Sequence, residues 1–383
     1  RLDHLPSILP HIRFNLLTSD DTAAILEHLL VREDPGSSEV LRNVVQSEPA
    51  NMEKRFGVDS EEMVLLFSVS RSPNEIYCMN PQSRKYFKIS CSYYPKVEAM
   101  TVTSDNDIYI LAEESEDLLS LFKYNQRLKV WEQKSSVGRT RGDGRLRVEH
   151  LVEVDGHLYY LATNDNKMVI EMYNQHADQW HFCSELHLEG VCELRPQMVT
   201  GGLIKPYMAV PCGQHIYIFS DTEMHRYDPS QERWCKRTPP TNIPKVCTAV
   251  SMGTEIFCTD YDFNKTMVYN TKADSWQELP ALGRIDQEDL FYSIPDLPCF
   301  FVLENQLHVL LSYASKTPGP STCHIWVYDR STAIWSDLRV RPATLPVGYW
   351  KCDGPCPVAR MYMPYLKQNL RRLLVQHTLS FKK

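Results

Sequence analysis

Glycine, long apolar runs and signal segments are all scarce in this sequence. Only 15 of the 383 residues are glycine, well below the roughly 7% of average usage. No apolar run approaches the ~18 residues that a membrane-spanning helix requires. The chain begins with Arg1, and no basic-then-apolar signal segment follows it. We therefore expect a part of a longer protein, with no membrane association.

The charge balance and the missing motifs exclude several classes of function. The formal net charge is −7, which argues against a nucleic-acid binder because phosphate contacts need concentrated Lys and Arg. The 12 cysteines stand mostly singly in apolar runs, as is typical of a reducing compartment. Cys352 and Cys356 lack a nearby His at ligand spacing, so no metal site is predicted. No phosphate loop, nucleophile elbow or H-E-x-x-H motif occurs, so we expect a protein without catalysis or cofactor.

One signature recurs: an aromatic residue, then Asn or Asp, then Trp seven positions after the aromatic. The five copies are Tyr124-Asn125 with Trp131, Tyr173-Asn174 with Trp180, Tyr227-Asp228 with Trp234, Tyr269-Asn270 with Trp276, and Tyr328-Asp329 with Trp335. A degenerate copy has Met79-Asn80 with Tyr86 in the Trp position. Counted from Tyr86, the intervals between these positions are 45, 49, 54, 42 and 59 residues. The sequence is therefore repetitive.

Each repeat has the pattern of a small antiparallel sheet. Runs rich in β formers precede the signature, for example DIYILA, HLYYLA and HIYIFS. The Asn or Asp favours a tight turn. Units of about four strands resemble the kelch repeat over residues 60–366, which implies an all-β, six-bladed propeller with Trp residues packed between blades. The family's glycine pair after the second strand is missing, at Ser220-Asp221 and Asp260-Tyr261 for example, so we expect other small or polar residues to make these turns.

The two ends of the repeat region complement each other. The first copy begins at Met63 and lacks one strand, while residues 359–366 (ARMYMPYL) have no blade of their own. Pairing them would close the ring and remove exposed sheet edges, so we predict that they share a blade. The predicted organisation is a linker over residues 47–60, a propeller over 61–366 and a basic tail over 367–383.

Residues 1–46 have a helical rather than a β pattern. Leu5, Ile8 and Ile12 fall at helical spacing. The stretch Arg13–Leu17, followed by a helix that Ser or Asp initiates, resembles the end of a BACK domain. The whole chain is thus similar to the C-terminal part of BTB–BACK–kelch proteins. This resemblance implies the substrate-recognition adaptor of a Cullin-3 ubiquitin ligase, holding Cullin-3 through the absent BTB/BACK region and dimeric through BTB. It also implies a cytoplasmic location, with the nucleus as a second possibility.

The resemblance also places candidate partner-binding residues. In related propellers, partner peptides lie across one end of the ring and contact two loop positions per blade. One position corresponds here to the basic residues Lys96, Arg147, Lys205, Lys245 and Arg360. The other corresponds to Asn164, Tyr313 and, in the degenerate first repeat, Arg71, with Tyr207 and Tyr261 close by. Converging basic side chains favour an acidic segment of a protein partner; ordinary solvated loop charges are the alternative.

The sequence also contains two long insertions and leaves two other functions open. Residues 279–298 and 341–358 exceed what turn closure needs. Trp350 in the second is predicted either to bind a partner or, alternatively, to plug the ring or cover a blade edge. The alternative function is an actin-associated cytoskeletal scaffold. A copper oxidase is a third, but the 13 His residues are scattered. His308 lies within a strand and is expected to be a satisfied core histidine.

Overall fold

A computed structural model describes most of the repeat region. The described residues are His28 and residues 60–68, 75–82, 85–89, 96–139, 148–164, 167–188, 197–199, 202–204, 207–220, 222–240, 246–261, 263–280, 293–295, 298–315, 322–338, 355–363 and 366. The chain divides into two compact units, Arg1–Val58 and Asp59–Lys383. Apart from His28, the region of the predicted helices lies outside the described residues, as do the basic tail and the linker, except for Ser60, which begins the first strand.

The second unit is a six-bladed β-propeller, as predicted. Blade 1 contains β1 (Ser60–Ser68), β2 (Glu75–Asn80) and β3 (Lys85–Ile89). Blade 2 contains β4 (Val97–Val102), β5 (Ile108–Ser115), β6 (Leu118–Asn125) and β7 (Val130–Gly138). Blade 3 contains β8 (Glu149–Val154), β9 (His157–Asn164), β10 (Lys167–Asn174) and β11 (Gln179–His187), and the short pair β12 (Gln197–Val199) and β13 (Gly202–Ile204) follows it.

The remaining blades repeat this order. Blade 4 contains β14 (Met208–Cys212), β15 (His215–Phe219), β16 (Met224–Asp228) and β17 (Arg233–Arg237). Blade 5 contains β18 (Val246–Met252), β19 (Glu255–Asp260), β20 (Thr266–Asn270) and β21 (Ser275–Glu278). Blade 6 contains β22 (Ser293–Pro295), β23 (Cys299–Leu303), β24 (Gln306–Ser315), β25 (Thr322–Asp329) and β26 (Ile334–Asp337). Because β22 pairs with β24, part of the predicted insertion 279–298 extends the sheet of blade 6.

The last described strand closes the ring, which confirms the predicted closure. β27 (Val358–Tyr362) is the innermost strand of blade 1 and pairs antiparallel with β1, in a register that sets Ser60 opposite Tyr362. Side chains of blade 2 bind the other edge of β27. The Asn106 amide donates to the Arg360 carbonyl at 2.8 Å and accepts from the Arg360 N–H at 2.5 Å. Gln126 donates to the same carbonyl and accepts from the Tyr362 N–H, both at 3.2 Å. The first and last strands are thus held in one sheet.

The spacing of seven has a simple structural cause. In each of the five full copies, the Tyr and the Trp are direct partners across the hairpin between the third and fourth strands. The ring centroids of these pairs lie 4.9–5.3 Å apart with interplanar angles of 39–46°. The Asn or Asp after the Tyr accepts backbone N–H bonds within the turn; Asn174, for example, accepts from His176 and Ala177 at 3.0 and 3.1 Å. The signature therefore encodes one hairpin per blade.

The apolar core is distributed over the junctions between blades. Six clusters of buried residues are found in the described part of the chain, and each joins two neighbouring blades. Trp131 of blade 2 belongs to the cluster containing Met63 and Leu65 of blade 1. Trp234 of blade 4 packs against the cluster of blades 3 and 4 and donates from Nε1 to Ser184 Oγ at 2.9 Å. The prediction that these Trp residues pack between blades is confirmed.

The turns that lack the glycine pair use polar side chains, as predicted. Ser220 Oγ accepts from the N–H groups of Thr222 and Glu223 at 3.1 and 3.2 Å. Asp260 Oδ1 accepts from those of Asn264 and Lys265 at 2.8 and 3.2 Å. Because side chains satisfy the backbone donors here, these two turns do not require glycine.

Candidate upper-end interface

The innermost strands β27, β4, β8, β14, β18 and β23 line an axial cavity of about 250 Å³. We call the end where these strands begin the upper end, and the end where they finish the lower end. The turns between second and third strands lie at the upper end, and the turns between first and second strands lie at the lower end. Residues at the upper end therefore come from sequence positions far apart but from equivalent points of each repeat.

Lys96 stands at the upper end, immediately before β4. Its side chain is 54% exposed, and its Nζ lies 2.6 Å from Glu98 Oε1 and 3.8 Å from Glu113 Oε2. Partial burial opposes the charge, but the hydrogen bond to Glu98 prevails, and the pKa of Lys96 is raised above 10.5. Lys96 is therefore a charged, accessible group whose position is set by two carboxylates.

Arg139, which the sequence analysis did not select, is the centre of this charged group. Its side chain is only 8% exposed, and it binds Glu149 with two hydrogen bonds of 2.8 and 3.0 Å. The same guanidinium lies 3.1 Å from Glu98 and 3.3 Å from Glu113. Burial acts against its charge, but the bonds to Glu149 and the charge of Glu98 raise its pKa. Because β7 precedes Arg139 and Glu149 begins β8, this group joins blade 2 to blade 3.

The sequence contains no local signal for this arrangement. Arg139 lies in an arginine-rich stretch (residues 139–147) that reads as an ordinary surface loop, and its three carboxylates come from β4, β5 and β8. Glu98 and Glu149 both line the axial cavity. The upper end around blades 2 and 3 is thus of mixed charge.

Tyr207, a candidate partner-binding residue, is placed at the upper end but is buried and offers no exposed surface there. It is 1% exposed and belongs to the core cluster of blades 3 and 4. Its hydroxyl donates to Glu223 Oε1 at 2.5 Å, and the other oxygen of Glu223 lies 3.0 Å from His225 Nε2. His150 Nε2 lies 3.2 Å from the Tyr207 carbonyl oxygen. Tyr207 therefore stabilises the junction beneath the upper end.

Arg360 lies at the lower end, so the structure does not bring it together with Lys96. It is the third residue of β27, and its backbone bonds to Asn106, which lies in the turn after β4. Its guanidinium lies 3.7 Å from Glu62. A second cavity of about 540 Å³, lined by Glu62, Glu153, Glu304 and Arg360 among others, opens here. The sequence repeat equates Arg360 with Lys96, but their positions relative to the strands differ. Lys96 precedes β4, whereas β27 begins two residues before Arg360.

The other predicted residues are placed only in part. Asn164 ends β9 and Tyr261 directly follows β19, so both positions are at the upper end. Tyr261 is partly exposed. Tyr313 lies in β24, opposite Pro295 of β22. Arg71, Arg147, Lys205, Lys245 and Trp350 lie outside the described residues.

The described residues offer no metal centre and no membrane span. No group of three or more His, Cys, Asp or Glu side chains that could hold a metal ion is found among them. Within the same residues, no helix is long and apolar enough to cross a membrane.

Comparisons with known proteins support the repeat assignment. No protein-family model matches the chain. It is 27% identical over 244 residues to an F-box/kelch-repeat protein of Arabidopsis thaliana, covering 53% of this chain and 62% of that protein. It is 20% identical over 266 residues to Kelch-like protein 35 of Mus musculus, covering 66% of this chain and 41% of that protein. The chain thus spans less than two thirds of the length of either relative.

Solved structures share little sequence with the chain. TolB from Acinetobacter baumannii matches with a TM-score of 0.48 and 12% identity, over 84% of this chain and 71% of that one. The sequence relatives and the sheet topology together lead to one conclusion. The chain is a six-bladed β-propeller whose curated relatives are kelch-repeat proteins.

Proposed function

We propose that this propeller is the substrate-recognition module of a Cullin-3 RING ubiquitin ligase and binds its protein substrate at the upper end. The observation that supports binding there is the accessible charge of Lys96, held at the mouth of the axial cavity by Glu98 and Glu113. The names of the two relatives, an F-box/kelch-repeat protein and a Kelch-like protein, fit a protein-binding module. Ubiquitin transfer itself would belong to other subunits.

The position of Lys96 suits this role. Lys96 directly precedes β4 of the closed ring, so little conformational entropy of its backbone is lost when a partner docks. The half-exposed ammonium of Lys96 favours a carboxylate-bearing segment of the partner. We therefore propose that the substrate presents an acidic peptide segment. We also propose that this chain works in the cytoplasm.

The test is capture of partners by the full-length protein in cells with cullin neddylation blocked. We expect Cullin-3 to co-purify and at least one bound protein to accumulate. A variant combining Lys96→Glu, Lys205→Glu and Lys245→Glu is expected to fold normally and to lose that protein while retaining Cullin-3. Lys272→Glu is the matched control, because this exposed lysine lies in a lower-end turn between β20 and β21.

The outcomes separate the alternatives. Equal capture by the triple variant and the control would refute recognition by upper-end basic residues. Capture of another cullin, or of none, would refute the Cullin-3 assignment without affecting the binding surface. Recovery of actin filaments by both variants would support the scaffold function instead.

A further inference from the structure

A single buried imidazole lies at the junction where the ring closes. This closing seam is the apolar cluster formed by Val64, Leu66, Tyr77 and Met79 of blade 1 with Cys299, Phe301, Leu303, Leu310 and Ile325 of blade 6, together with Cys356. His308 of β24 pairs directly with Phe301 of β23. Its ring stacks on that of Phe301, with centroids 5.0 Å apart and an interplanar angle of 9°. Leu310, two residues on, shares the same strand face, so His308 faces blade 1.

His308 is buried as expected, but it is not satisfied. It is 1% exposed. Its Nδ1 lies 2.9 Å from the Gln306 carbonyl oxygen, which can only accept, so Nδ1 carries the proton. Its Nε2 is buried and has no hydrogen-bond partner among the described residues. The neutral ring therefore fits the seam, whereas a proton on Nε2 would be a buried donor without an acceptor.

We propose that His308 makes closure of the ring sensitive to acid, so that protonation of Nε2 opens the seam between blade 6 and blade 1. This seam joins the two ends of the propeller, since blade 1 is completed by β27 and packs on blade 6. Opening here relieves the unpaired donor by exposing it to water. The other two buried histidines of the described residues, His150 and His225, each have a partner, the Tyr207 carbonyl oxygen and the Glu223 carboxylate.

The charges around His308 do not compensate for protonation. Burial is the main influence and lowers the pKa of His308 below its ordinary 6.5, while the Gln306 carbonyl and Glu304 act in the opposite direction. Glu304 belongs to the turn between β23 and β24, where Gln82 donates to its carboxylate at 2.9 Å and Glu62 accepts from its N–H at 3.0 Å. From the packed elements, the Tyr77 phenol and the Cys299 and Cys356 thiols belong to the seam.

The direction of the pH effect follows from the sign of this shift. The opened state takes up its proton near pH 6.5, and the closed state only at lower pH. Closure is therefore fully favoured above pH 6.5 and weakens as pH falls from 6.5 through the lower, closed-state value. Between pH 7.5 and 5.5, the closing equilibrium is expected to weaken by up to about tenfold.

Hydrogen exchange of the intact chain tests this, with protection factors corrected for intrinsic rates at pH 7.5 and 5.5. We expect protection of β1 and β27 amides to fall at pH 5.5 by up to about tenfold, while β15 and β19 amides at the seam of blades 4 and 5 keep theirs. In His308→Phe, whose ring cannot be protonated, the β1 and β27 amides should keep their protection. An equal loss in both proteins would overturn the proposal.

A second measurement does not depend on the folding of the variant. NMR titration of the His308 ring in the unmodified chain is expected to give a midpoint below 6.5. A midpoint at or above 6.5, or unchanged protection of β1 and β27 at pH 5.5, would overturn the proposal.

Discussion

Ring closure should depend on the Asn106 amide, which binds the free edge of β27. Asn106 has a φ of 67°, a left-handed conformation that glycine and Asn adopt readily and Ala does not. Asn106→Gly therefore removes the two bonds to Arg360 without adding backbone strain. Each bond is partly solvated and contributes about 0.5–1.5 kcal/mol. We expect a loss of roughly 1–3 kcal/mol in the free energy of unfolding, and about 1 kcal/mol more for Asn106→Ala because of its φ.

Asn305 provides a matched control. It lies in the equivalent turn between β23 and β24 at a φ of 57°, and no side-chain hydrogen bond of Asn305 is found within the described residues. Asn305→Gly should therefore change stability by only a few tenths of a kcal/mol, on the order of a surface substitution. Urea denaturation followed by Trp fluorescence measures both. Equal destabilisation by Asn106→Gly and Asn305→Gly would refute the assignment of closure energy to the bonds with β27.

Coupling to Gln126 tests the same reasoning more strictly. Both amides donate to the Arg360 carbonyl, at 2.8 and 3.2 Å. Either alone can satisfy this acceptor, so each single change leaves it bonded. Asn106→Gly combined with Gln126→Ala should exceed the sum of the single effects by about 1 kcal/mol, because the carbonyl is then unsatisfied by protein. Strict additivity would show that the two amides do not share this acceptor.

Two further predictions concern the junctions between blades. Trp234→Phe should lose about 1 kcal/mol more stability than Trp335→Phe. The reason is that Trp234 Nε1 donates to Ser184 of blade 3, while Trp335 Nε1 has no partner among the described residues. Thermal unfolding compares the two variants, and equal losses of stability would contradict this reasoning. Arg139→Met should destabilise the protein by about 3 kcal/mol, because the buried Glu149 carboxylate loses its two bonds to the guanidinium. Arg139→Lys should recover only part of this, because an ammonium cannot form two parallel bonds to one carboxylate as a guanidinium does; full recovery by Lys in chemical denaturation would count against the network.

The fold was predictable because its determinants are local and repeated. Tyr269 and Trp276 are seven residues apart since they face each other across one hairpin, and that geometry recurs wherever the hairpin does. Closure was predictable for a related reason, because Met63 begins a blade that lacks one strand and residues 359–366 supply it. The missing glycine pair did not prevent the fold prediction, because Ser220 and Asp260 stabilise those turns with side-chain hydrogen bonds. Glycine is kept in other turns, where Gly156, Gly213 and Gly253 adopt left-handed conformations.

The candidate site was less predictable, because its side chains meet only through packing. Tyr207 stands at a loop position in sequence, but its ring enters the junction of blades 3 and 4. Arg360 aligns with Lys96 in the repeat. However, Lys96 precedes its strand at the upper end, whereas Arg360 lies within β27 and reaches the lower end. His308 was correctly expected in the core, yet the missing acceptor at Nε2 depends on which residues blade 1 presents across the seam.

The sequence by itself determined the number of blades, the hairpin of each repeat and the means of closure, since each depends on residues close together or on a periodic pattern. Only the tertiary structure decided that Arg139 joins Glu98, Glu113 and Glu149, and that His308 lies where the ring closes. These contacts bring together side chains from different blades, and their charge and burial depend on distances that no local pattern encodes. The proposed binding at the upper end and the proposed acid sensitivity at the seam both depend on this second level.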